Sequence, residues 1–195
     1  GLTMSGATKT LSGRTLVNTA TATWSAGQLN TGGGSVLSNA PSGTFDISFD
    51  ATEGNVGGAR TIANAGLFRK TGGTGAATLA AVFNNTGAVE VQSGILSLNG
   101  GGTSTGTFTD TVGATLDFGG GTHNLNAGSS VTGAGHVLFS GATVICNGTF
   151  NISGSNTVTS GSVTYTAAAS VLNQGNPLMM SGGTANFNSD EAITL

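Results

Sequence analysis

Charge is scarce in this sequence. Only 7% of its 195 residues are Asp, Glu, Lys or Arg, against roughly 25% in ordinary globular domains. Cations are the scarcer sign: Lys9, Arg14, Arg60, Arg69 and Lys70 are all there are, and the chain after Lys70 has none. That cation-free stretch carries Glu90, Asp110, Asp117, Asp190 and Glu191. A surface of this sign repels a polyanion, which argues against nucleic acid as a partner. Cys146 is the single cysteine, so neither an internal disulfide nor a Cys-based zinc site can form. No apolar run approaches the roughly 18 residues of a membrane-spanning helix. Proline occurs twice, whereas disordered chains are usually rich in proline and charge.

What fills the chain instead is Gly, Thr, Ser and Asn, at 35, 31, 20 and 17 residues, together over half of it. Apolar residues reach 37%, enough to build a core. Short alternating segments stand out. In "TFDISFD" Phe45, Ile47 and Phe49 share one side and Asp46, Ser48 and Asp50 the other. Period-two alternation marks a strand with one buried face.

These strands recur. One series runs Leu96/Leu98, Leu116/Phe118, Val137/Phe139, Val158 and Leu178/Met180; a second runs Leu125, Val144, Val163 and Ala185; a third runs Val91, Val112, Val131, Ile152 and Val171. All step by about 20 residues, and Gly, Asn or Ser separates them, which is the signature of a repeat architecture. The expected fold is all-β: a single-stranded parallel β-helix, or β-solenoid, with three short strands per turn of about 20 residues. Right-handed coiling is the rule for parallel crossovers. Each strand pairs with its equivalent one turn later, about 4.8 Å away. Gly and Asn serve the corners, and outward Thr, Ser and Asn form ladders of like residues. The whole chain, 1–195, reads as one domain. Residues 66–195 form regular turns. Residues 1–65 are less regular, which a corner insertion or a capping turn around Trp24 explains.

Residues 66–98, "GLFRKTGGTGAATLAAVFNNTGAVEVQSGILSL", resemble the autotransporter-associated β-strand repeat of bacterial surface proteins. Gly66, Leu67 and Lys70 match its start with one extra residue between Leu67 and Lys70. Gly73 and Gly75, then Asn85, Thr86 and Gly87, then Val91, Gly94 and Leu96 continue the pattern. The resemblance implies a secreted or surface-exposed β-helical segment of a bacterial protein, such as a stalk, spacer or adhesin-like passenger. It carries no catalytic residues over. Partners of that kind of segment are cell-surface glycans or proteins, with end-to-end or lateral self-association as a further mode.

Several motifs carry residue types that build sites. In "RKTGGTG" Lys70-Thr71 precedes the glycines, whereas a P-loop places them after, before a helix. Arg60, Arg69 and Lys70 remain as weak candidates for a basic patch that would take an anionic sugar. A polysaccharide-cleaving or carbohydrate-binding β-helix, such as a tailspike-like module, is the alternative function. Asp46 and Asp50, four residues apart on a strand, would be about 13 Å apart, too far for a glycosidase pair. Glu90 and Asp110 fall out of phase by one residue. His123 and His136 lack a third aligned ligand for a metal. Cys146 reads as a small buried hydrophobe. The Thr-x-Thr runs at 19–23, 107–111 and 164–166 are too widely spaced for an ice-binding array. The sequence therefore predicts no catalytic, cofactor or metal residues and no enzyme.

Overall fold

The structure, a computed structural model, describes residues 1–190. Twenty-seven short strands follow one another from Leu2–Met4 to Thr184–Phe187, and no helix occurs among them. Every pairing between them is parallel and joins strands three apart in sequence order. The chain therefore winds as a β-solenoid of about nine turns, with three strands and roughly 21 residues per turn.

The three sides can be named from their strands. The first face is a nine-stranded sheet running from Leu2–Met4 to Ser170–Gln174, and the third is a nine-stranded sheet from Thr15–Asn18 to Thr184–Phe187. The second face is divided. Lys9–Ser12, Leu29–Gly32 and Glu53–Asn55 form a three-stranded sheet; Ala76–Leu79 to Leu178–Met180 form a six-stranded one. A single bridge, Thr52 to Thr78, spans the division.

Inward positions stack column upon column. On the first face Ala22, Phe45, Phe68, Val89, Phe108, Val131, Phe150 and Val171 lie in register and are all buried. Rings meet their equivalents one turn on: Phe45 and Phe68 stack at 5.1 Å, and Phe118 and Phe139 at 5.5 Å. Aromatic contacts of this geometry add about 0.5–1.5 kcal/mol to the burial of each ring. Trp24 belongs to this interior, 1% exposed, in register between Met4 and Ile47. Its indole donates to the Gly27 carbonyl at 2.8 Å. It is a core residue.

The first expected track holds its register, with Leu96, Leu116 and Val137 in one column and Leu98, Phe118, Phe139 and Val158 in the next, while the second and third slip at some members. Val112 is 81% exposed; the strand ends at Asp110, and Thr111 to Ala114 make the corner, closed by the Ala114 amide on the Thr111 carbonyl at 2.9 Å. Asp110 takes the inward place in register with Val91. Leu125 pairs with Cys146, and Val144 pairs with His123. Val158 pairs with Phe139, so Asn156 fills the inward place beside Val137. On the strand Leu67–Lys70 it is Phe68 and Lys70 that point inward; Leu67 is half-buried in the alternate phase.

One inward column is polar. Asn18, Asn39, Asn64 and Asn85 lie in register on the third face and are buried. Each Nδ2 donates to the next Oδ1 at 2.8 Å. The same Nδ2 groups donate to corner carbonyls, Asn39 to Gly43 and Asn64 to Gly66, each at 3.2 Å, and to the first carbonyl of a first-face strand, Asn39 to Leu67 and Asn64 to Ala88, each at 3.0 Å. Asparagine thus holds the corner between the third face and the next turn of the first. After Ser104 the column turns apolar, with Leu125, Cys146 and Tyr165. Outward, like residues align as expected: Thr122, Thr143, Ser162 and Thr184 form one ladder on the third face.

Candidate functional site

The three cations singled out in the sequence do not form one patch. Arg60 lies on the third face, and Arg69 and Lys70 on the first. Each meets a carboxylate. Arg60 Nε is 3.0 Å from Glu53 Oε1, as an ion pair outside hydrogen-bond alignment. Arg69 faces outward and forks onto Asp46, its partner one turn below, at 2.5 and 2.8 Å. Two parallel charge-assisted bonds of this kind fix geometry as well as charge.

Lys70 points the opposite way and is fully buried. It occupies an inward place in register with Ile47 below and Val91 above. Its ammonium reaches the Gly72 carbonyl at 2.5 Å, the Gly73 carbonyl at 3.4 Å, the Phe49 carbonyl at 3.5 Å and Asp50 Oδ1 at 3.4 Å. Corners 48–52 and 71–75 are the two five-residue corners between the first and second faces here. Lys70 bridges them from inside. Asp50, half exposed, closes the other side by accepting from the Gly75 amide at 2.9 Å. A side chain on Gly73, at φ +76°, would collide with Asp50.

Glu53 anchors the division of the second face. It is 3% exposed. Its Oε2 accepts from the Ala80 and Ala81 amides, each at 2.7 Å, and its Oε1 accepts from the Thr31 hydroxyl. A buried carboxylate is tolerated only when so paired. Here it satisfies backbone donors where regular pairing stops.

A shallow groove of about 400 Å³ follows the corner between the first and second faces over four turns. Gly113, Ala134, Gly135, His136, Ser155 and Pro177 line it. His136 Nδ1 lies 2.6 Å from the Ser155 hydroxyl, its neighbour one turn on. Burial lowers the His136 pKa below the ordinary imidazole value. Beneath the corner sits Asp110, 2% exposed. Its Oδ1 accepts from the Gly135 amide at 3.3 Å, while Oδ2 is buried without a partner. Desolvation pushes its pKa up to about 6, against the opposing pull of the Gly135 amide.

The remaining titratable groups are tied into the fold. Glu90 stands opposite Thr109 and faces outward, while Asp110 stands opposite Val91 and faces inward, so the two acids do not converge. Asp117 accepts from Ser97 at 2.6 Å and from Ser140 at 2.7 Å. His123 is buried on the third face, its Nε2 3.2 Å from the Leu98 carbonyl and 3.1 Å from the Gly120 carbonyl. Two carbonyl partners require that nitrogen to carry the proton. Burial lowers the pKa of His123 and raises that of the Cys146 thiol. Cys146 is 1% exposed. Among the described residues no three His, Cys, Asp or Glu gather as a metal site would require.

Sequence reasoning did not anticipate the asparagine column, the inward Lys70, or the groove. The first was detectable, because Asn18, Asn39, Asn64 and Asn85 recur at nearly the solenoid period. The others depend on corner lengths. Comparison of the chain with protein-family models, with curated proteins and with solved structures returned no match.

Proposed function

We propose that this chain is a structural β-solenoid segment, a stalk, spacer or adhesin-like passenger, of a bacterial extracellular or cell-surface protein. The observation that carries the structural part is the continuity of the first and third faces through nine strands each. A stack two of whose sides continue through nine strands each, filled by like-on-like columns, resists bending and transmits position from one end to the other. Its stability is a sum of contacts between adjacent turns. The extracellular part rests on the resemblance of residues 66–98 to the autotransporter-associated repeat. In that segment the glycines lie at corners, and the Asn85-Thr86-Gly87 turn is closed by the Gly87 amide donating to the Asn85 side chain at 3.2 Å.

Two measurements test this reading. Antibody labelling of intact bacterial cells expressing the native gene should detect the segment; labelling only after lysis would sink the surface location. Separately, a distance measured between labels at the two ends should stay narrow and single-valued in solution, whereas a broad distribution would defeat the spacer role.

A second reading, a carbohydrate-binding or depolymerising β-helix, is favoured by one observation. The groove beside His136 and Ser155 follows the solenoid axis over four turns, as an extended polymer would lie. Its lining is small side chains and backbone, without the aromatic platform sugars stack upon. Binding on a glycan array that is lost in His136→Ala would move this reading ahead of the first.

A further inference from the structure

Two successive corners between the first and second faces differ in length. Residues 25–28 turn in four residues, and residues 48–52 turn in five. Corners of unequal length cannot stack residue on residue, and an open cleft of about 300 Å³ lies where these two diverge. Gly27, Gln28, Phe49, Asp50 and Thr52 line it. It shares no residue with the groove beside His136.

Phe49 supplies the apolar wall. It is half-buried, and its ring packs on Trp24 in a T-shaped contact with centroids 5.6 Å apart, which fixes it from inside. Three polar groups around it have unused hydrogen-bonding capacity. Asp50 gives Oδ1 to the Gly75 amide and to Lys70, which leaves Oδ2. The Gln28 amide lies over Gly54, where a Cβ would meet Nε2 at 2.5 Å, so glycine there makes room for it. Gln28 and Thr52 are exposed, and among the described residues neither side chain has a hydrogen-bond partner. The lysines of these corners are occupied. Lys9 donates to the Ala26 and Gly6 carbonyls at 2.7 and 3.3 Å, and Lys70 to the Gly72 carbonyl at 2.5 Å.

We propose that this cleft is a binding site for a neutral saccharide. One apolar wall with a few convergent polar groups is the usual form of a small-ligand site, and the volume admits roughly one or two sugar rings. The C–H side of a ring packs on Phe49. Its hydroxyls, each both donor and acceptor, meet the Gln28 amide, the Thr52 hydroxyl and Asp50 Oδ2. A wholly apolar ligand would bury those three groups unpaired. An anionic sugar would face the Asp50 carboxylate with no free ammonium to offset it. The sugar is thus uncharged, unlike the anionic one expected of a patch of Arg60, Arg69 and Lys70. The site holds whether the chain is a stalk or a polymer binder, and it can fail without either reading.

The test is saturation-transfer NMR on the 195-residue chain with the methyl glycosides of glucose, galactose, mannose and N-acetylglucosamine, each titrated to about 50 mM. At least one should bind saturably, with Kd between about 0.1 and 10 mM. Gln28→Ala should weaken that binding about three- to tenfold, and Asp50→Asn about tenfold, with urea midpoints close to the parent's. Phe49→Ala should abolish it, whereas Phe49→Tyr, which keeps the ring, should retain it. The absence of saturable binding by all four glycosides would overturn the proposal. So would binding that ignores Gln28→Ala and Asp50→Asn, or that is lost in His136→Ala instead, which would place the saccharide in the other groove. Binding of a trilysine peptide but of no glycoside would mark Asp50 as a contact for a basic segment and would overturn it equally.

Discussion

Lys70 and Asp50 meet across one turn of the solenoid, Nζ to Oδ1 at 3.4 Å, but they contribute unequally to the corner they share. The lysine is wholly buried, whereas the Asp50 side chain is 49% exposed. The ammonium's shorter contact is to a backbone carbonyl, Gly72 at 2.5 Å. Lys70→Ala should therefore remove a buried stem and leave corner carbonyls without a donor, at a cost of roughly 2–4 kcal/mol. Asp50→Ala should cost under about 1 kcal/mol, as for exposed ion pairs. Urea midpoints of the two variants check the order; equal losses would mean that the ion pair, not carbonyl capping, holds the corner.

The asparagine column should behave as a unit. Asn64 accepts from Asn39 and donates to Asn85 and to the Ala88 carbonyl. Asn64→Ala removes one bond from each neighbour and one from the Ala88 carbonyl in the interior, which should cost about 1–3 kcal/mol. Because adjacent members share bonds, a double-mutant cycle of Asn39→Ala and Asn64→Ala should show coupling above about 0.5 kcal/mol. Additive losses would contradict the shared network.

Asp110 makes a pH-dependent contribution of defined sign. Its folded pKa, about 6, lies above the ordinary Asp value of about 3.9. Between about pH 4 and 6 the folded chain holds a proton that the unfolded chain has released, so this group's contribution to stability falls as pH rises through that window. The full loss, present above pH 6, is about 3 kcal/mol. His123 and His136, whose pKa values are lowered by burial, act in the opposite sense, losing stability as pH falls below the ordinary imidazole value. The effect of Asp110 is therefore read as a difference. Asp110→Asn should be more stable than the parent at pH 7, with the gap closing toward pH 4. A gap that is constant with pH would remove the assignment.

Register on the first face is testable with two residues of the strand–corner segment 107–114. Phe108→Ala should cost about 3–5 kcal/mol, as for a buried aromatic. Val112→Thr, at an exposed corner position, should fall within about 0.5 kcal/mol of the parent. Comparable losses would place Val112 inside and contradict the observed register.

That pair also shows what the sequence could and could not convey. Alternation in segments such as Phe45 to Phe49 identified strands, and their recurrence identified a three-sided parallel stack. Both signals are averages over many residues and survive small errors. The phase of each column is not an average. It depends on corner lengths, which range from two residues at 134–135 to five at 71–75. A single extra corner residue exchanges inside for outside, which is how Val112 took the place of Asp110 in the expected track. Composition also misled. Lys and Asn are ordinarily surface residues, yet Lys70, Asn39, Asn64 and Asn85 are buried because corner carbonyls in a solenoid converge inward and need donors. The candidate cations were visible in the sequence; their carboxylate partners, one turn away for Arg69 and Lys70 and one corner away for Arg60, were not.

Because each turn touches only the turns above and below it, excising or duplicating one whole turn would leave every surviving boundary of the same kind. Length in such a protein is an integer, changed by copying about 21 residues at a time. The strand division near Glu53 and the polar-to-apolar change after Ser104 then read as seams between blocks that can be copied independently.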